Sequence, residues 1–258
     1  MAAIDLFRLD NKIALVSGAS RGIGEAIAHG LAEQGAHVIC ASRKLEGCEA
    51  VASAIRDNGG QATAMECHAG NLEAIDALFV QIADQFGGVD IVINNSGTNP
   101  YFGPVAETPV AAFDKTIEVN FRGPFFICER AVAQMRERGG GAIVNVASID
   151  GISAGNMQGV YSTTKAAMIS MTQSFALENG QYGVRVNALC PGLTETKFTT
   201  VFQQQPGYDD TVAHFPLKKA AQPIDMVGAT LLMVSDAGAM MTGQTLVIDS
   251  GSLVSHGL

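Results

Sequence analysis

The 258-residue chain lacks any excess of positive charge: 25 Asp and Glu against 16 Lys and Arg give a formal net charge of −9. A nucleic-acid or anionic-membrane surface needs a basic footprint, so neither partner is expected. The chain also lacks a C-x-x-C pair and a His-rich stretch. Its five cysteines, Cys40, Cys48, Cys67, Cys128 and Cys190, are odd in number and scattered, which argues against a metal site and for reduced thiols inside a cell. No apolar run approaches the roughly 18 residues of a membrane span. The opening "MAAIDLFRLDNK" has no basic-then-apolar layout of a secretion signal, and the closing "SHGL" is not the S-K-L address. A cytoplasmic location is the resulting expectation. Charge of either sign is scarce too, at 16% against 47% hydrophobic residues, which excludes a disordered chain and leaves enough apolar material for a sizeable core.

What the chain does have is alternation. The short apolar runs "IALVSG", "HVICAS", "ATAMEC", "DIVINNSG", "GAIVNVAS", "VRVNALCPG" and "QTLVID" read as strands, several apolar on both sides as buried parallel strands are. Between them, "GEAIAHGLAEQG", "CEAVASAIRDNG", "LEAIDALFVQIADQFG", "AAFDKTIEVNFRGPFFICERAVAQMRER" and "TTKAAMISMTQSFALENG" read as helices, several stopped by glycine. This order predicts an α/β protein, a parallel sheet of about seven strands with helices on both faces. Leu193 to Pro223 breaks the pattern with Pro206, Gly207, Pro216 and Pro223 and the aromatics Phe198, Phe202, Tyr208 and Phe215. It is expected to be a partly helical excursion that covers something, not a second domain.

Two stretches carry chemistry. In "ALVSGASRGIGEAIAHGLAEQG", Gly18, Gly22 and Gly24 stand between the first strand and the first helix. A helix N-terminus exposes unpaired backbone N–H groups, and positions without side chains let a pyrophosphate approach them. The spacing G-x-x-x-G-x-G differs from the commoner G-x-G-x-x-G, and a tight turn alone would also use it. In "YSTTK", Tyr161 and Lys165 lie four apart on a helix and project from one face. An ammonium beside a phenol favours phenolate, so the pair predicts a tyrosine pKa below the usual value of about 10 and a usable acid or base near neutrality. Ser148, at the end of the fifth strand, can hydrogen-bond a substrate oxygen as charge develops there. Without a partner constellation, the same residues would be an ordinary helix-surface pair and a helix cap.

The motifs arrive in the order of one family. At S-G-A-S-R-G-I-G (17–24), N-N-S-G (94–97), Asn120, Ser148, Y-x-x-x-K (161–165) and P-G (191–192), the chain resembles the short-chain dehydrogenase/reductases over roughly Leu9 to Gly251. The details "CASRK", "CHAG", "NPYFG" and "CPGL" look most similar to its NADP-dependent carbonyl and retinal reductases. The resemblance implies a single Rossmann-type, doubly wound domain over residues 1–258. It implies that residues 18–24, with Ser20, Arg21 and Ile23 among the glycines, hold the cofactor diphosphate. Asn94, Ser96 and Gly97 would border the adenosine ribose and line the cleft, with Ser96 standing where the family usually has Ala. Many members carry an Asp near the adenine where this chain has His68, which reads equally well as a plain loop histidine. Pro191, Gly192, Leu193 and Thr196 would touch the nicotinamide half, and Asn120 would help hold a water that relays protons to Lys165.

The cofactor's identity follows from charge. NAD-dependent members end the second strand with an acidic residue; here that place holds Ser42, followed by Arg43 and Lys44. A 2′-phosphate is repelled by a carboxylate and held by guanidinium groups such as Arg43 and Arg21, so NADP(H) is expected, although a solvated pair after a strand would look the same. Together these readings predict a carbonyl reductase in which Tyr161 is the proton donor, Ser148 orients the oxygen and Lys165 holds the phenol and the ribose. Two other readings share the fold. A 3-oxoacyl thioester reductase would want basic residues for a carrier phosphate, and a non-catalytic nucleotide sensor could lose the Ser, Tyr or Lys that this chain keeps. The substrate is expected to be apolar or aromatic, walled by Leu193, Phe198, Val201 and Phe202 on one face of a short helix and by Asn156 and Met157 opposite, with Tyr101 and Phe102 at the rim. Asp150 would disfavour anions. Phe198 and Phe202 could instead pack the excursion onto the body. The apolar "FFIC" and "MISM" stretches and the long segment from Ala111 to Arg138 suggest a homotetramer or homodimer.

Overall fold

The computed structural model describes residues 2–255, except Gln205 and the side chains of Val201 and Phe202. Seven strands, β1 (Ile13–Ser17), β2 (His37–Ser42), β3 (Gln61–Glu66), β4 (Ile91–Asn94), β5 (Gly141–Val146), β6 (Val184–Pro191) and β7 (Thr245–Ile248), form one sheet. Their order is β3-β2-β1-β4-β5-β6-β7, parallel throughout. The strands are apolar on both sides because both sides are covered. Ala14 and Val16 of β1 join a cluster with α1 (Gly22–Glu33), α2 (Leu45–Asp57) and α9 (Val227–Val234). Leu15 between them joins the opposite cluster with α3 (Leu72–Phe86), α5 (Gly123–Glu137) and α6 (Gly159–Asn179). The strand order reverses between β1 and β4, and in such sheets ligands bind at the carboxyl ends of the strands flanking the reversal.

The longest predicted helical segment is interrupted. α4 (Val110–Ile117) passes through a π-turn at Glu118–Arg122 before α5 begins at Gly123. A side chain at residue 123 would place its Cβ 1.6 Å from the Ala69 carbonyl oxygen, so only glycine lets the helix pass the end of β3 this closely. The excursion after β6 is partly helical as expected, with α7 (Thr200–Gln203) and α8 (Tyr208–Ala213). Its ends are stitched together, since Ala221 N–H donates to Leu193 O (2.9 Å) and Glu195 N–H to Ala221 O (2.8 Å). α9 was not anticipated: "VGATLLMV" is almost wholly apolar and shows no helical period to read.

Candidate active site

The site is assembled at the carboxyl ends of the strands. β1 ends in Ser17, and Gly18 (φ 69°) and Gly22 (φ 62°) turn the chain through left-handed conformations into α1. At Gly24 an added Cβ would stand 2.4 Å from the Gly18 carbonyl oxygen, so the loop folds back tightly on the first turn of the helix. The first N–H groups of α1 have no partners within the helix. Gly18, Ser20, Arg21, Gly22 and Ile23 line a cavity of about 1170 Å³.

Ser42, Arg43 and Lys44 line the same wall at the end of β2. Cys48 donates its thiol hydrogen to Ser42 Oγ (3.0 Å), and Ser42 donates to the Lys44 carbonyl (3.3 Å), which fixes the backbone that presents the two cations. Arg21 faces the same end, and Glu25 in the first turn of α1 is a carboxylate on that wall. With a glycine cradle for a diphosphate and three cations for a further phosphate, the residues fit a dinucleotide carrying a 2′-phosphate. His68, at the end of β3, lines the cavity; its Nδ1 accepts from Gly70 N–H (3.0 Å) and its Nε2 lies 3.1 Å from Lys115 Nζ. Ser96 and Gly97 line the cavity as expected.

Asn94 does not. It is fully buried inside the sheet, with Nδ2 donating to Asn145 Oδ1 (2.9 Å), Cys128 Sγ (3.2 Å) and Pro124 O (3.4 Å). Alternation along β4 sends the next residue, Asn95, toward the cavity, where its Nδ2 bonds Ser17 O (3.2 Å) and Gly18 O (3.1 Å) and ties β4 to the glycine loop.

At the other end Ser148, Tyr161 and Lys165 line the cavity together with Pro191, Gly192, Leu193 and Thr196. Ser148 caps a short 3₁₀ turn, accepting from Asp150 N–H at 3.1 Å. Tyr161 and Lys165 lie in the first two turns of α6, and Lys165 Nζ donates to Val146 O at 2.7 Å while standing 5.6 Å from the Tyr161 ring centre. The expected lowering of the tyrosine pKa is not found. Burial pushes the Tyr161 phenol above its usual value, the Asp150 charge adds to this, and hydrogen bonding with Ser148 opposes it. Burial also lowers Lys165 to about 8, because its ammonium is held away from water. Asn120 sits in the π-turn, fully buried, with Oδ1 accepting from Thr98 N–H (2.7 Å) and Nδ2 donating to Thr98 O (2.8 Å) and Thr164 Oγ1 (3.3 Å). A Cβ added at Gly97 would be 3.8 Å from both Asn120 Oδ1 and Lys165 Nζ, so the two groups flank that glycine.

The substrate wall differs from its sequence reading. Asp150 and Phe198 line the cavity, and the Phe198 ring lies 5.9 Å from that of Tyr161. Asn156 and Met157 are exposed; Met157 adopts a left-handed backbone (φ 60°) and its carbonyl accepts from Gly103 N–H, which leaves Gln158 to face the cavity instead. Tyr101 bonds Pro104 O rather than lining the cavity, and Phe102 is exposed. α7 starts only at Thr200, so Leu193 and Phe198 lie on no common helix with Val201 and Phe202, whose side chains fall outside the described residues. Lys197, Tyr208, Thr211, Phe215 and Ser252 are among the other residues on the wall, and Tyr208 Oη donates to Glu195 Oε1 (3.2 Å) to hold α8 down.

Comparison with known proteins agrees with this geometry. The family model described as "Enoyl-(Acyl carrier protein) reductase" matches residues 18–252. Dehydrogenase/reductase SDR family member 4 of Bos taurus is 36% identical over 96% of this chain and 89% of its own. A gluconate 5-dehydrogenase from Burkholderia cenocepacia, solved with NADP and tartrate, superposes with a TM-score of 0.94 at 29% identity, covering 98% of this chain and 99% of the other. A protein described as a putative NAD(P)-dependent gluconate 5-dehydrogenase from Beutenbergia cavernae, with bound NADP, gives 0.92 at 33% identity over 96% and 99%. On this sheet order, glycine loop and paired relatives, the chain belongs to the short-chain dehydrogenase/reductase family.

Proposed function

We propose that the protein is an NADPH-dependent reductase of ketones or aldehydes, reversible toward the alcohol. The observation that carries this reading is that one cavity joins the glycine cradle and its cations, at one end, to Ser148, Tyr161 and Lys165 at the other. Gly18, Ser20, Arg21, Gly22 and Ile23 would hold the diphosphate, Arg21, Ser42, Arg43 and Lys44 the 2′-phosphate, and Lys165, Pro191, Gly192, Leu193 and Thr196 the nicotinamide half. When bound, the cofactor supplies hydride to the carbonyl carbon. Tyr161 gives its proton to the carbonyl oxygen and Ser148 orients that oxygen by hydrogen bonding. The raised phenol pKa suits the donor role, since Tyr161 then carries its proton through the neutral range. Lys165 sits beside the phenol, where its charge steadies the tyrosinate that remains, and Asn120 fixes the Thr98 backbone so that Gly97 lies between Asn120 and Lys165.

Leu193, Phe198 and Phe215 give the substrate end an apolar lining, which supports a substrate with an apolar or aromatic body. The name of the matching family model supports an acyl-thioester alternative; the hydroxy acids named with two structural relatives are disfavoured by Asp150 at the catalytic end. A panel of ketones, aldehydes, oxoacyl thioesters and sugar acids, followed by NADPH consumption, separates these. Aryl ketones are expected to turn over and sugar acids to fail.

A further inference from the structure

The catalytic end of the cavity holds a carboxyl group that the proton transfer above does not use. Asp150 follows Ser148 by two residues, and its N–H donates to Ser148 Oγ at 3.1 Å. The backbone of Asp150 is therefore fixed beside the hydroxyl that would hold the substrate oxygen, and its side chain lies on the same cavity wall. Gln158 Nε2 donates to Asp150 Oδ2 at 3.2 Å, and both side chains line the cavity. The pair is backed by Gly155, where an added Cβ would lie 2.7 Å from Asp150 Oδ1 and 2.8 Å from Gln158 Nε2. Asp150 is thus fixed in place, and a carboxylate has about four acceptor sites, more than these contacts occupy.

We infer that Asp150 determines specificity by accepting a hydrogen bond from a hydroxyl or ammonium on the carbon next to the substrate carbonyl. The preferred substrates are then α-hydroxy or α-amino ketones with an apolar body against Leu193, Phe198 and Phe215. A carboxylate bonded to the carbonyl carbon, which takes the place of that hydroxyl-bearing carbon, is turned away by like charge. This assignment rests on the carbonyl reductase reading. A purely structural Asp150, closing the loop through Gln158, would affect all ketones alike.

Initial rates with NADPH compare α-hydroxyacetophenone, α-aminoacetophenone, propiophenone and phenylglyoxylate. In the wild type, kcat/KM for the hydroxy and amino ketones should exceed that for propiophenone by about ten- to a hundredfold, the range of a hydrogen bond to a charged group, with phenylglyoxylate poorest. Asp150→Ala should bring the three ketones within about threefold of one another. If that variant does not fold, Asp150→Asn keeps a partner for Gln158 and should abolish the advantage of the amino ketone. Equal efficiencies for propiophenone and α-hydroxyacetophenone in the wild type, or an unchanged ratio in the folded variant, would overturn the assignment. No NADPH consumption with any of the ketones would overturn the carbonyl reductase reading beneath it.

Discussion

Lys165 and Tyr161 are each charged only at a cost in this fold, and the two costs have different readouts. Lys165 is held at about 8 against an ordinary 10.5, so between those values the unfolded chain carries a proton that the folded chain has released. Stability from this group therefore rises as pH climbs from about 8 to 10.5 and is lost as pH falls through about 8. Lys165→Met removes the buried charge and the bond to Val146 O, so its stability relative to the wild type should be greatest near neutrality and should decline by on the order of a few kcal/mol by about pH 10. Calorimetry of both proteins across that range checks this, and a constant difference would count against it. For Tyr161 the sign is opposite in its consequence: a phenol pushed upward stays protonated, so ketone reduction should hold through neutral pH and fall only at alkaline pH, while alcohol oxidation should climb with pH. Arg43 belongs to this scale too. One or two charge-assisted bonds to a 2′-phosphate imply about ten- to a thousandfold preference for NADPH over NADH, and Arg43→Glu should abolish it; equal dissociation constants in the wild type would contradict the account.

Elements set which of these residues can meet. The glycine loop was legible because a strand, a glycine run and an amphipathic helix stood in immediate succession, and the left-handed Gly18 and Gly22 are the physical content of that pattern. Gly24→Ala, which drives a Cβ toward the Gly18 carbonyl, should weaken NADPH binding by at least tenfold by fluorescence titration; an unchanged affinity would mean the loop can yield. The choice of Asn94 over Asn95 was illegible, because a shift of one residue reverses the face a strand residue takes and the sequence "NNSG" offers both. Asn156 and Met157 were misplaced for a different reason: they lie in a turn whose left-handed Met157 (φ 60°) has no periodic signal, and Gln158 faces the cavity instead. The π-turn at Glu118–Arg122 interrupts a segment that reads as one helix, and the pairing of Asn120 with Thr98 is a long-range contact that no local period encodes. Replacing that amide leaves two backbone groups at Thr98 without it, so Asn120→Ala should lower unfolding free energy by about 1–3 kcal/mol for each group left buried.

For the whole molecule, sequence alternation determined the sheet and its two covered faces, while the stitch between Leu193, Glu195 and Ala221 that closes the excursion needed the tertiary fold. The proposed homotetramer rests on less than the sequence suggested. Ile127, Cys128, Met168 and Met171 of the "FFIC" and "MISM" stretches pack in the protein's own core. Val110 and Phe113 of α4, Phe125 of α5 and Leu177 of α6 remain exposed and would be the apolar surface available to such an assembly. Light scattering at micromolar concentration should give four times the mass of the chain, and a monomer would refute it. The central claim, that one cavity brings reduced nicotinamide and a carbonyl to the Tyr161 proton, is tested most directly by mixing NADPH-loaded protein with an aryl ketone and following a single turnover by nicotinamide absorbance. The account predicts that Tyr161→Phe slows this step by about two to four orders of magnitude while its NADPH affinity stays within a few fold of the wild type. Turnover in the variant within a few fold of the wild type would contradict it.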